Sequence, residues 1–264
     1  MVWSSKKMDM YVCACGKIDS DVNFSNKTTY GLFDKEVNQH PWRLSREKCI
    51  LNTLRRRNLH NIADIGVDDM FYTNKVKKIM DGNIYAVDIF FPEDGMIKNG
   101  INCINDIKKL PENELDCVIM MDVLEHIEDD LSFFNVIVNK LKTGGTVLIT
   151  VPAYQFLFSV HDSRALHYRR YNRKQLLKLL QRDNLKIEKI HYFYTSLFLH
   201  RLINVTFKKS NFRGNNDKWP YSEKHIITVT VKTILNIDFF INKILDKIGV
   251  RLPGLSLLAI CKKI

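Results

Sequence analysis

The stretch that decides the fold is Leu141-Lys142-Thr143-Gly144-Gly145-Thr146-Val147-Leu148-Ile149-Thr150-Val151-Pro152-Ala153-Tyr154, with Met121-Asp122-Val123-Leu124-Glu125-His126-Ile127 upstream. A helix that closes on a Gly-Gly turn, followed by an unbroken apolar run, is how a chain feeds a central parallel strand buried on both faces. Proline ends that strand. The loop after it is therefore expected at the carboxyl edge of the sheet, where open α/β sheets bind ligands.

The same alternation continues outward. Asn61 to Gly66 reads as a first strand, Ile84 to Asp88 as a second, Ile101 to Ile104 as a weaker third and Leu115 to Met121 as a fourth. A helix is expected over 73–80. Another starts near Glu128-Asp129-Asp130, where the dipole favours anions, with Leu131, Phe134, Val138 and Leu141 at helical spacing. His40-Pro41-Trp42 opens a basic helix that ends near Arg55-Arg56-Arg57. Asn172 caps a helix over 173–182, and 187–194 and 255–262 read as the last two strands. The expected fold class is α/β, a doubly wound and mostly parallel sheet. Residues 1–40 form an arm or lid, 41–196 with 255–264 the α/β domain, and 197–254 an insert before the last strand. The insert carries ten Lys or Arg against four Asp or Glu, a net +6, and Ile226 to Ile248 is apolar at helical spacing.

Composition narrows the class. At 45% apolar and 26% charged residues, the 264-residue chain is neither disordered nor fibrous. No apolar run reaches the ~20 residues of a spanning helix, and Lys6-Lys7 interrupt a secretory start, so a cytoplasmic protein is expected. The net charge of +11 serves solubility or attracts an anionic partner. No basic motif interleaved with aromatics appears, so nucleic acid is not an expected partner. The six cysteines are expected to be reduced. Cys13-Ala14-Cys15 lacks a second pair at zinc-ligand spacing, and no metal is expected.

The strands end on groups suited to a nucleoside. Asp88 can accept two hydrogen bonds from ribose hydroxyls, or it is simply a solvated strand end. Asn105-Asp106-Ile107 could hold an adenine. Glu125 and His126 are neighbours, and adjacent side chains on a helix diverge, so both are not expected at one ligand. His126 is either a base or a cap on the sheet. The loop His161-Asp162-Ser163-Arg164-Ala165-Leu166-His167-Tyr168-Arg169-Arg170-Tyr171 gathers more chemistry than a solvated loop needs. His161 or His167 could take a proton from a nucleophile, with His126 as the alternate. Arg164, Arg169 and Arg170 could grip an anionic acceptor beside Tyr154 and Tyr168, or anchor the loop through ion pairs.

The run from Met121-Asp122-Val123-Leu124-Glu125-His126 through Val151-Pro152-Ala153-Tyr154 and His161-Asp162 to His167-Tyr168-Arg169-Arg170-Tyr171 resembles class I S-adenosylmethionine (SAM)-dependent methyltransferases. The likeness is to a type 11 bacterial branch found among genes for surface-polysaccharide or lipid-linked glycan assembly. His40-Pro41-Trp42 and Pro253-Gly254-Leu255-Ser256-Leu257 fit it too, and the resemblance spans 40–264, strongest over 115–175. It implies a Rossmann-like fold and SAM as cofactor, lined by Asp64, Gly66, Asp88, Asp106, Ile107, Met121 and Asp122. The family's glycine loop is kept only at Gly66, with Asp68 and Met70 where later glycines would stand. Asp68 could pair with the cofactor's ammonium group. The expected activity is methyl transfer to an O or N nucleophile of an anionic small molecule or glycan precursor. An inactive methyltransferase-fold binding module in a glycan-assembly complex is the alternative that Gly66 to Met70 favours. The insert is expected to close the acceptor pocket or rest on the inner face of the membrane.

Overall fold

The computed structural model describes residues 40–264 apart from 56, 68, 93–94 and 208–219, and leaves out the Cys49 side chain. The expected arm, Cys13, Cys15 and Asp68 lie outside the described residues.

Helix α1 (Pro41–Leu54) leads into an eight-stranded sheet: β1 (Asn61–Ile65), β2 (Asn83–Val87), β3 (Met96–Lys98), β4 (Ile101–Ile104), β5 (Leu115–Met121), β6 (Leu141–Pro152), β7 (Leu185–Phe193) and β8 (Ser256–Lys263). Helices α2 (Phe71–Lys77), α3 (Asp130–Lys140), α4 (Val160–Arg164), α5 (Arg173–Leu180), α6 (Thr195–Phe207) and α7 (Ile226–Lys247) connect them. The spatial order is β3-β4-β2-β1-β5-β6-β8-β7. Strands β4, β2, β1, β5 and β6 run parallel, whereas β8 is antiparallel to both β6 and β7. This is the doubly wound, mostly parallel sheet expected, with one strand added. That strand, β3, has only three residues and lies antiparallel on the edge.

Alternate residues of each central strand enter opposite cores. Val118 and Met120 of β5, with Val147 and Ile149 of β6, pack against Phe133, Phe134 and Ile137 of α3 and Leu176 and Leu180 of α5. Cys117, Ile119 and Leu148 face the other way, toward Ile50 and Leu54 of α1, Val76 of α2 and Leu235 of α7. Burial on both faces makes these strands continuously apolar.

Two local expectations are corrected. The helix before β6 does not close on the glycines: α3 stops at Lys140, and Gly144 (φ +83°) lies in a bulge where the β5–β6 register shifts. A Cβ at Gly145 would stand 2.7 Å from the Leu115 carbonyl, so the bulge requires glycine there. Leu131 faces solvent, and the core face of α3 is carried by Phe133, Phe134, Ile137 and Val138. Helix α1 ends at Leu54 with Arg55 as its C-cap, beside the arginine run as expected. Arg57, beyond it, bonds Thr146 Oγ1 at 2.7 Å and pairs with Glu188 at 2.6 Å.

The insert helices are tied to this body. The Asp238 carboxylate of α7 accepts from the backbone N–H groups of Thr195 (3.0 Å) and Ser196 (2.7 Å), satisfying donors at the start of α6. On the far side of α7, Ile226, Ile237, Phe240 and Ile248 are 71%, 53%, 60% and 69% exposed. Among the described residues no helix is long and apolar enough to cross a membrane.

Candidate active site

Because β1, β2, β4, β5 and β6 run parallel, their carboxyl ends open on one edge. Gly66 follows β1 with φ +70°, and a Cβ there would meet Val123 Cγ2 at 2.8 Å, so only glycine fits. Asp64 is buried and accepts a 2.6 Å bond from Thr73 Oγ1. Burial pushes its carboxyl up to about 7, against the hydrogen bond and with added repulsion from Asp69 and Asp88. Asp88, half-buried after β2, takes the Phe90 N–H at 3.1 Å. Asp106 caps the short turn after β4 by accepting from Lys108 N at 2.9 Å, while Ile107 is buried beneath. Met121 closes β5, and Asp122 follows it with φ +56°.

The sequence reading missed what α1 brings here. Arg43 and Arg46, three apart and so on one helical face, each meet a carboxylate of this edge. Arg43 forks onto Asp69 at 2.6 and 2.5 Å, and Arg46 pairs with Asp122 at 2.5 Å while also bonding Thr150 Oγ1. Burial works against the Asp122 charge, but Arg46 and the Thr150 hydroxyl outweigh it and hold the carboxyl below its ordinary range. Arg46 is itself buried under the Trp42 ring, 4.3 Å from its centroid, and among the described residues its Nε has no hydrogen-bond partner. The readable signal was Arg43-Leu44-Ser45-Arg46, spaced to present both guanidinium groups together.

Beyond Asp122, Leu124–His126 forms one 3₁₀ turn rather than a helix. That corrects the expectation that Glu125 and His126 diverge. Their ligand atoms and one of His167 all lie within 4.8 Å of one another. The His126 and His167 rings meet edge to face at 4.6 Å. Burial drives the Glu125 carboxyl well above its usual range, and the Asp122 charge adds to it. Burial, with His167 adding, takes His126 down to about 4, so its imidazole is neutral at neutral pH.

His167 reaches this cluster because its loop is anchored at Asp162. That carboxylate is fully buried and binds His167 Nδ1 at 3.0 Å, Arg170 at 2.7 Å and Arg201 of α6 at 3.1 Å. It also closes a capping box with Ser159 at the start of α4. Burial opposes its charge, yet His167 and Arg170 keep the carboxyl far below the ordinary range. Backbone bonds complete the seat: Tyr168 N to Glu125 O at 2.7 Å and Tyr171 N to Pro152 O at 2.9 Å.

The other expected residues sit as follows. His161 and Arg164 are exposed on α4, and Tyr168 is 41% exposed. Arg169 pairs with Asp130 at 3.0 Å and donates to Glu128 O at 2.7 Å. With Arg170 buried against Asp162, these two guanidinium groups are engaged by the protein's own anions. Tyr154 (φ +62°) stacks on Tyr192 at 4.9 Å, beside Phe156 and Phe198.

Several solved structures share this architecture. An S-adenosylmethionine-dependent methyltransferase from Mesorhizobium loti superposes with a TM-score of 0.52 at 13% identity, covering 83% of this chain and 98% of that one. A phosphoethanolamine N-methyltransferase from Haemonchus contortus, bound to phosphomonomethylethanolamine and S-adenosylhomocysteine, gives 0.50 at 16% identity over 83% of this chain and 52% of its own. No curated protein matches the chain in sequence. The family model described as "Methyltransferase domain" matches residues 61–192, which is half of the chain and runs from β1 through most of β7. The chain belongs to that methyltransferase-domain family.

Proposed function

We propose that this protein transfers the methyl group of SAM to an O or N nucleophile of an anionic small molecule or glycan precursor in surface-polysaccharide biosynthesis. The observation that carries the reading is the Asp162–His167 pair, seated beside Asp122 at the carboxyl end of β5. When bound, SAM supplies a sulfonium methyl already activated for transfer, so the chain must mainly position an acceptor and take its proton. Asp88 accepts from ribose hydroxyls, Asp106 and Ile107 border the adenine, and Gly66 lets the backbone approach. Asp122, held by Arg46, stands at the transfer end. His167, its Nδ1 engaged by Asp162, offers Nε2 to the acceptor's proton. Arg164, exposed at the end of α4, would meet an anionic acceptor.

Calorimetric titration with SAM tests the cofactor. Asp88→Ala is expected to weaken binding by about 1–3 kcal/mol, one or two hydrogen bonds. Unchanged affinity in a folded variant removes Asp88 from the site.

A second reading, an inactive binding module of a glycan-assembly complex, is favoured by the loop after β1. Asp69 there is clamped by Arg43, and Met70 is buried in a left-handed conformation (φ +60°). Wild-type protein that fails to bind SAM supports that reading instead.

The protein is proposed to work in the cytoplasm with α6 and α7 resting on the inner face of the membrane. Leu199, Ile203, Ile237, Phe240 and Ile244 expose apolar surface there, and Lys224, Lys232 and Lys247 lie along the same segment. Sedimentation with vesicles is expected to recover the protein with anionic and not with neutral lipid. Equal, negligible recovery with both removes the membrane role.

A further inference from the structure

Glu125 is fully buried, and among the described residues neither of its carboxylate oxygens has a hydrogen-bond partner in another residue. A carboxyl group taken out of water and left unpartnered is costly, so each such group calls for an explanation. The explanation lies beside it. Glu125, His126 and His167 each offer one donor atom, and these atoms lie within 4.8 Å of one another. Donor atoms bound to one ion at roughly 2.0–2.2 Å stand about 3.4 Å apart in a tetrahedral site, so side-chain rotation draws this cluster in around the ion. Behind His167, Asp162 holds Nδ1 at 3.0 Å and leaves Nε2 for coordination. A carboxylate on the far ring nitrogen is the usual outer partner of a metal-binding histidine. The expectation of no metal rested on cysteine spacing and did not anticipate these three residues, which a turn and a distant loop bring together.

We propose that Glu125, His126 and His167 bind a divalent transition-metal cation, with Asp162 orienting His167 from behind. Two imidazoles and one carboxylate suit Zn²⁺, Fe²⁺ or Mn²⁺ rather than Ca²⁺, and three protein ligands leave positions open. The open positions face the acceptor's side of the site and take an oxygen donor of the acceptor. That last part rests on the methyl-transfer reading, whereas cation binding does not. With the cation in place His167 is a ligand rather than a base.

The test uses the full chain, stripped with a chelator, dialysed and titrated with Co²⁺ and with Mn²⁺ in the absence of SAM. One cation per chain is expected by calorimetry, and Co²⁺ should develop ligand-field absorption in the visible. Both signals should vanish in the Glu125→Gln/His167→Ala double variant and persist in His200→Ala, an exposed position on α6. Should the double variant fail to fold, His126→Ala serves, since it leaves the Asp162 contacts intact and should weaken binding at least tenfold. Asp162→Asn should weaken it about 10–100-fold. Wild-type protein that binds neither cation overturns the inference, as does binding undiminished in the ligand variants or a Co²⁺ spectrum dominated by thiolate charge transfer. Parallel SAM titration separates the failures. SAM binding without metal binding sinks the cation site and leaves the methyl-transfer reading standing, and the reverse sinks only the latter.

Discussion

His167→Ala is expected to lower turnover by about 10²–10⁴ while SAM affinity stays near wild type. The side chain meets the Glu125–His126 turn at one end and Asp162 at the other, and among the described residues none of these contacts is with the β2 or β4 ends assigned to the nucleoside. The loss should therefore fall on kcat rather than on cofactor binding. Thermal unfolding of the same variant provides the counterweight, because one partly buried hydrogen bond is worth only about 1 kcal/mol. A fall in stability that tracks the fall in activity would make His167 an anchor of the loop. Wild-type turnover in a stable variant would remove it from the chemistry altogether. His161→Ala is the internal comparison, since that ring is exposed on α4.

The largest stability effect should come from Asp162→Ala. This carboxylate neutralises Arg170, which is 7% exposed at its side chain, and Arg201, and it also holds His167. Deleting it strands a buried guanidinium, a change that costs about 3–5 kcal/mol. Urea unfolding at constant m-value measures this, and Asp162→Asn should lose less because the amide oxygen still accepts. A loss below about 1 kcal/mol would mean that the backbone bonds of Tyr168 and Tyr171 hold the loop by themselves. For the same reason, Arg170 variants are expected to lower stability before they affect acceptor binding.

Much of the fold was legible because its causes are local. Strands buried on both faces must be apolar throughout, so β1, β2, β5 and β6 announced themselves, as did the Asn172 cap of α5. Strand β3 did not, because three residues on the edge, two of them exposed, are too short to carry a pattern. The Gly144-Gly145 pair was read as a helix end, although Gly145 answers to the Leu115 carbonyl on the neighbouring strand and Gly144 to a positive φ. The strand-end carboxylates Asp64, Asp88 and Asp122 could be placed on one edge from topology alone. Their partners could not.

What the sequence determined by itself was the α/β class, the mostly parallel doubly wound sheet, and the edge where ligand chemistry gathers. These follow from periodicity and chain direction, which neighbouring residues set. Tertiary structure alone decided that Arg43 and Arg46 clamp Asp69 and Asp122, that Asp162 neutralises arginines from two different segments, and that His167 meets Glu125 and His126 about forty residues away. Side chains so far apart in the chain meet only through packing, and burial then strengthens or penalises each charge in ways that residue type does not show.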